Sequence, residues 1–377
     1  MMLKRVLKNS ILFLLKQYTS IGGQAVIEGV MMRSPNAFVV ALRQADGSIR
    51  LRRDQWYGFT KKLKIFKMPF FRGVLTLVET MLNGIVSLNY SANVAMKDEL
   101  LEKAMKQGKT EEEAMKKIKE KEKVSWETYL TIGVSFLFGM GLFVFLPHAI
   151  TYLINHVFEL SWDLESFSFH FVDGMIKALI FILYIFIIGF LPDVKRVFQY
   201  HGAEHKSIAT FEAGEELIVE NAKKFSTLHP RCGTTFVFFL LFISIVLFSG
   251  LFVIIPVGVG LPPILKHAVA IVYKIFFMFP IAGISYELIK FAGRKQGSMI
   301  SKIISFPGMM LQKLTTNEPE AEQLEVALAS IKAVLFLEEK YNLKEANEKI
   351  LNLEEVDIKD IQEMESTNST LKDFLEA

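Results

Sequence analysis

The sequence predicts a mainly α-helical, polytopic membrane protein, and three observations carry that prediction. Hydrophobic residues fill 51% of the 377 positions and the mean hydropathy is +0.32, more apolar surface than a soluble domain of this size can hide. The 33 Phe gather in a few uncharged stretches. Lys and Arg concentrate in alternate connecting segments, the pattern that orients a multi-pass protein.

Four runs are long enough to span. Between Glu127 and Glu159 there is no Asp, Glu, Lys or Arg, and a bilayer core needs about 20 apolar helical residues, so the first span is predicted near residues 129–153. The second lies between Lys177 and Asp193 and reaches full length if it starts near Val172, with Lys177 snorkelling outward. The third, 234–256, contains FVFFLLFISIVLFSGLFVII and no ionisable group. The fourth, about 267–289, holds Lys274, Pro280 and Glu287. A further apolar stretch, 72–95, carries Arg72, Glu79, Asn83 and Asn93 at helical intervals. That pattern predicts a helix packed against the spans or lying at the interface, and it is not counted as spanning.

Orientation follows from the loops. The segment between spans two and three carries Lys195, Arg196, Lys206, Lys223, Lys224 and Arg231, whereas loop 156–171 carries Glu159, Asp163 and Glu165, and loop 257–266 only Lys266. Both termini and the central loop are therefore expected in the cytosol, with the spans in a bacterial inner (plasma) membrane. A net charge of +3 gives no argument for nucleic acid as a partner. The single cysteine, Cys232, excludes an intramolecular disulfide.

Around the four-span domain (128–292, with its central loop at 193–233) the chain divides by composition. Residues 1–19 set Lys4, Arg5, Lys8 and Lys16 around an apolar face, a basic amphipathic helix suited to an anionic bilayer surface and lacking a cleavage signal. Residues 20–60 combine the glycine-containing segment GGQAVIEGVMMRSP, read as an irregular loop, with a β-hairpin whose arms AFVVALRQ and SIRLRRDQ flank Ala45, Asp46 and Gly47. Residues 61–96 form the amphipathic or membrane-associated helix, and 97–127 a charged, solvated helical linker. Residues 293–337 predict a cytosolic helix starting near Pro319, capped by Thr315 or Thr316, with Leu324, Ala327, Ile331 and Leu335 on one face. That helix is also the expected docking element for protein partners. The acidic tail, 338–377, is expected to be weakly ordered.

Three of the seven histidines fall in the central loop. On a helix, His201, Glu204, His205 and Ile208 share one face. Two imidazoles on adjacent turns can grip one metal ion, and the neighbouring carboxylate Glu204 can serve as a base toward water. The spacing is H-x-x-E-H. A third ligand is required: His229 comes first, in the turn His229-Pro230-Arg231-Cys232-Gly233, and Cys232 could complete a closed, structural set instead. Glu287, near the end of span four, is the other candidate, because a carboxylate there must be paired or coordinated. Ser207, Arg196 and Arg231 are candidates for anchoring an anionic substrate. Zn²⁺ or a similar divalent ion is the expected cofactor.

The runs GGQAVIEGVMMRSP, FFRGVLTLVE, LNYSAN, YHGAEHKSIATFE, HPRCGTTF, ISYELIKFAGR and PGMMLQKLTTNEPEAEQLEVAL, in that order, resemble the YqhQ-like family of uncharacterised bacterial membrane proteins, described as predicted metal-dependent enzymes. The resemblance covers roughly residues 20–330. It implies a metal held through His201, Glu204, His205, His229 and Cys232, and leaves the reaction open. Two functions follow as expectations: a membrane-embedded metal-dependent hydrolase acting on a peptide, lipid headgroup or other polar substrate at the cytosolic face, or a non-enzymatic scaffold or assembly factor stapled by a structural metal. Transport is a third reading, suggested by Lys274, Pro280 and Glu287, and made less attractive by the lack of an internal repeat.

Overall fold

The computed structural model describes residues 21–35, 37–55, 68, 71–106, 126–258, 260–294, 298–343 and 354–365. The predicted amphipathic helix at 1–19 and most of the charged linker lie outside them. The molecule is built in two layers, a small β-sheet clasped by helices and a bundle of long apolar helices.

The sheet runs β1 (Gly22–Val26), β2 (Gly29–Arg33), β3 (Ala37–Arg43), β4 (Ile49–Gln55) and β5 (Glu354–Ile358), in that order and antiparallel throughout. The β3–β4 hairpin is the predicted one, with Asp46 accepting hydrogen bonds from the Ser48 N–H (2.9 Å) and hydroxyl (2.6 Å) across its turn. Two expectations are corrected. The segment read as an irregular loop is the tight β1–β2 hairpin, turning at Glu28 with φ +55°. The acidic tail contributes β5: its Glu354, Glu355 and Asp357 register against Arg53, Arg52 and Arg50 of β4, and Val356 and Ile358 are buried. Opposite charges directly across a ladder favour pairing, and Arg50 meets Asp357 through two hydrogen bonds of 2.8 and 2.9 Å.

In the bundle, α1 (Phe71–Lys106) is followed by α2 (Trp126–Met140), a π turn at Gly141–Phe145, and α3 (Leu146–Val157). Pro147 has no N–H to give to the carbonyl one turn earlier, and the ladder widens just before it. Then come α4 (Phe167–Ile188), α5 (Pro192–Ala213), the single turn α6 (Val219–Ala222), α7 (Gly233–Ile254), α8 (Pro263–Arg294), α9 (Met299–Thr315) and α10 (Ala321–Leu343). Five segments are long and apolar enough to cross a membrane: Phe71–Lys97, Gly133–Val157, Phe167–Ile188, Gly233–Ile254 and Pro263–Phe291. The four predicted spans are the last four. The fifth lies in α1, whose Ser91 hydroxyl accepts the Ile27 N–H (3.2 Å) and whose Val94 packs on Val26, Met31 and Phe38, so its middle is tied to the sheet.

α1 and α9 are inside out relative to a soluble helix. α1 buries Glu79, Asn83, Ser87 and Ser91, spaced four apart, while Met81, Leu82, Ile85 and Val86 face outward. α9 buries Ser301, Ser305, Gly308 and Gln312 and exposes Met299, Ile303 and Phe306. Apolar outer faces of this extent mark contact with lipid. The helix predicted to start near Pro319 is α10, which begins at Ala321 with the Gln323 side chain accepting the Glu320 N–H (2.9 Å); Thr315 and Thr316, expected as its cap, instead close the separate helix α9. The predicted face of α10 holds. Leu324, Ala327, Ile331 and Leu335 are buried against β2, β3 and α5 residues Tyr200, Ile208 and Phe211. Each large aliphatic buried there contributes about 1.5–3 kcal/mol, and beside these several side chains stands a single half-buried ion pair, Arg43–Glu325 at 2.7 Å. The apolar face, not the ion pair, holds the helix.

Candidate metal centre

α5 is the helix the H-x-x-E-H spacing predicts. It starts at Pro192 just past α4 and ends at Gly214, whose φ of +75° gives the left-handed closure. Gly202, within the motif, is where the 317 backbone crosses: a Cβ there would sit 2.1 Å from the Asn317 carbonyl oxygen. The weak helix former is retained for that close approach.

The helix brings His201 and His205 together with ring centroids 4.4 Å apart. Cys232 arrives from the other side as the N-cap of α7, its sulfur accepting the Thr234 N–H (3.4 Å) and hydroxyl (3.3 Å). Nε2 of His201 stands 3.2 Å from that sulfur. One ligand atom each from His201, His205 and Cys232 lie within 4.8 Å of one another.

The remaining ring nitrogens fix the tautomers. Nδ1 of His201 faces the Thr315 carbonyl (2.8 Å) and Nδ1 of His205 the Thr227 carbonyl (2.5 Å). Carbonyls only accept, so both Nδ1 atoms carry the proton and both Nε2 lone pairs point at the cluster. Nε2 of His205 is buried without a hydrogen bond. A carbonyl behind each imidazole and an Nε2 turned to the cluster in front, without a hydrogen bond in His205 and 3.2 Å from the Cys232 sulfur in His201, is the arrangement that surrounds metal-ligating histidines. The donor set could hold a divalent ion that accepts nitrogen and sulfur.

Glu204 is buried on the same helix, and the Gly23 N–H of β1 donates to its carboxylate. Gly23 is required here, since a Cβ would fall 2.9 Å from Cγ of Glu204 and 2.8 Å from the Met31 carbonyl. Burial pushes the Glu204 carboxyl above the ordinary carboxylate range, against the pull of His201, His229 and the Gly23 N–H. Burial holds His205 below the usual imidazole value despite the neighbouring Cys232, and holds His229 below it despite Glu204.

The other expected residues fall outside the converging set. The His229 ring centroid is 5.7 Å from that of His205, but its Nε2 faces Glu212 (3.3 Å), which also pairs with Arg231. Glu287, expected as a ligand, is instead engaged by Arg72 of α1 in a two-pronged pair, 2.6 Å between Nε and Oε1. Its need for a partner is met by an arginine 215 positions away. Arg196 is taken by Glu28 of the β1–β2 turn (2.6 Å to Oε2). Residues that sequence reasoning missed hold the site in place. Gln312 of α9 clamps His229 with two hydrogen bonds of 2.8 Å, to its N–H and its carbonyl. Buried Lys206 reaches Glu318 (2.5 Å). Glu212 had a signal, standing seven residues beyond His205 and so on the same helical face; Gln312 had none.

Fold and site together define a multi-pass membrane protein with a His–His–Cys cluster where the central helix meets the bundle. Residues 68–336 match the family described as "Protein of unknown function (DUF1385)". The "Uncharacterized protein YqhQ" of Bacillus subtilis (strain 168) is 33% identical over 336 residues, 87% of this chain and 95% of that protein. The chain belongs to this family. No solved structure matches it.

Proposed function

We propose that this is a membrane-embedded metal-dependent enzyme, a hydrolase that works on a polar group of a peptide or lipid at the cytosolic membrane face. The observation that carries the reading is the buried Nε2 of His205, bare and aimed with His201 Nε2 at the Cys232 sulfur. An unsatisfied buried group costs about 1–3 kcal/mol, and a divalent ion, zinc by its taste for this donor set, removes that penalty.

Bound there, the ion would supply Lewis-acid polarisation of a substrate oxygen. The chain's own residues do the rest. Thr315 and Thr227 carbonyls orient the imidazoles, and the Gly23 N–H fixes the Glu204 carboxylate. Glu204, its carboxyl raised by burial above the ordinary carboxylate range, takes a proton from the attacking group onto its carboxylate oxygen and returns it to the leaving group. Three converging donors among the described residues, with a fourth tetrahedral position left over, favour this over the closed four-ligand scaffold. The basic central loop supports a cytosolic location for the site and for both termini, in a bacterial inner membrane.

The test is elemental analysis of metal per chain, with growth complementation, for the wild type, His201→Ala and Glu204→Gln. Metal is expected to be stoichiometric in the wild type and in Glu204→Gln and absent from His201→Ala, with complementation lost in both variants. Wild-type protein prepared without chelator and free of metal would overturn the proposal; full complementation by Glu204→Gln would overturn Glu204 as the base.

A further inference from the structure

At the opposite end of the bundle a second set of ionisable groups lies inside the membrane-spanning helices. Asp173 of α4 is buried and meets Lys274 of α8 at 2.7 Å, with Lys177 of α4 3.9 Å away. On its other oxygen, Asp173 faces Nδ1 of His148 from α3 at 3.6 Å. Nε2 of His148 in turn is 2.7 Å from Nδ1 of His267 in α8. His267 lines a cleft of about 330 Å³ with Tyr152, Asn155, Trp162 and Lys266. This cleft sits where α3 ends and α4 and α8 begin, at the far end of the bundle from α5.

The other groups facing Asp173 are accounted for. His170, also on α4, is turned away, its Nε2 on the Leu164 carbonyl (2.6 Å) and its ring stacked on Phe252 of α7. Lys266 is occupied by Glu165 (2.6 Å). Neither α7 nor the π turn carries an ionisable residue. An ion pair needed only to staple α4 to α8 is complete with Asp173 and Lys274. The two histidines add a continuous series of nitrogens from that pair to an open cleft, and each imidazole can take a proton on one nitrogen while giving one from the other. Ionisable side chains at this depth are found on proton and substrate paths.

We propose that Asp173 is an intramembrane proton-binding site loaded through His267 and His148 from the face opposite the central helix. The proton enters on Nε2 of His267, whose Nδ1–H is passed to Nε2 of His148. The Nδ1–H of His148 then passes to the Asp173 carboxylate, which becomes neutral, and both rings end uncharged in the opposite tautomer. The 3.6 Å step between His148 and Asp173 is the gate, since transfer requires about 2.6–3.2 Å between heavy atoms. Neutralising Asp173 removes the attraction that holds Lys274, so proton binding there loosens α4 from α8. The proposal is independent of the metal.

The experiment uses full-length protein in proteoliposomes of known orientation, with an acid step on one side followed by time-resolved infrared difference spectroscopy of carboxyl protonation. The expected result is a protonated-carboxyl band that Asp173→Asn removes, that forms at least tenfold faster after acid on the cleft side, and that His267→Gln slows at least tenfold. Asp173→Asn and His267→Gln are close in shape to the native residues. A band that survives Asp173→Asn would overturn the proposal. So would equal rates from the two sides, or a wild-type rate in His267→Gln.

Discussion

The two clusters of ionisable side chains solve the problem of burial in contrary ways. In the bundle, Asp173 and Lys274 answer each other, and His148 and His267 do the same. At the junction with α5, His201 and His205 spend their N–H groups on backbone carbonyls and turn their lone pairs to one point. The first arrangement pairs its members with one another, save that Nδ1 of His148 and one oxygen of Asp173 stand 3.6 Å apart; the second leaves Nε2 of His205 buried without a hydrogen bond. The difference teaches that nearness of titratable groups says little about a ligand until each donor and acceptor has been traced to its partner.

The largest effect that separates the two plans is on stability. Removing one partner of a buried ion pair leaves an uncompensated charge and costs about 3–5 kcal/mol, whereas replacing both by apolar groups of similar volume is nearly neutral. Lys274→Met is thus expected to lower stability to chemical unfolding by about 3 kcal/mol, the low end of that range because Lys177 remains within reach of Asp173. The double variant Asp173→Leu/Lys274→Met is expected to recover only part of it, because Lys177 then loses its own partner. If the single variant unfolds like the wild type, the pair is not what holds α4 to α8.

The next effect belongs to the other cluster. A ligand at 100 times its Kd stabilises the folded state by about 2.7 kcal/mol. Chelator should therefore lower the Tm of the wild type by the equivalent of about that amount and leave Cys232→Ser almost unmoved, while Lys274→Met keeps its full sensitivity. Equal chelator sensitivity in Cys232→Ser and the wild type would remove Cys232 from the donor set and erase the contrast between the clusters.

How much of this was legible in the sequence follows the range of the interactions. Uncharged runs and the Lys and Arg distribution depend on composition alone, and they locate the four spans. The His201–His205 pair and the buried face of α10 are local helical periodicities, and both stand in the structure. What escaped was settled by distant partners. Asp173 is paired by Lys274, which arrives from α8 across 101 positions, and Lys177, expected to snorkel outward, lies within 3.9 Å of that carboxylate one helical turn along. Glu287 reads as a ligand until Arg72 is brought to it across 215 residues. β5 has the composition of a disordered tail and is ordered by the arginines of β4. In each case a charge was visible and its partner was not, because pairing across the fold leaves no spacing to read.

The smallest effect tests where the second plan ends. Glu212 accepts from His229 and from Arg231, and His229 is held by Gln312 through its backbone, so this group borders the donor cluster without pointing into it. Glu212→Gln keeps the shape and one accepting oxygen and removes the charge. Metal affinity, measured by competition with a chromophoric chelator, is expected to fall by less than tenfold, under about 1.4 kcal/mol, because His201, His205 and Cys232 keep their geometry. Outer partners of true ligands typically cost 10–100-fold when removed. A loss in that range would mean that His229 swings from Glu212 to the ion and belongs to the converging set, making four donors, closing the position that the hydrolase reading leaves for substrate, and turning the argument toward a structural staple.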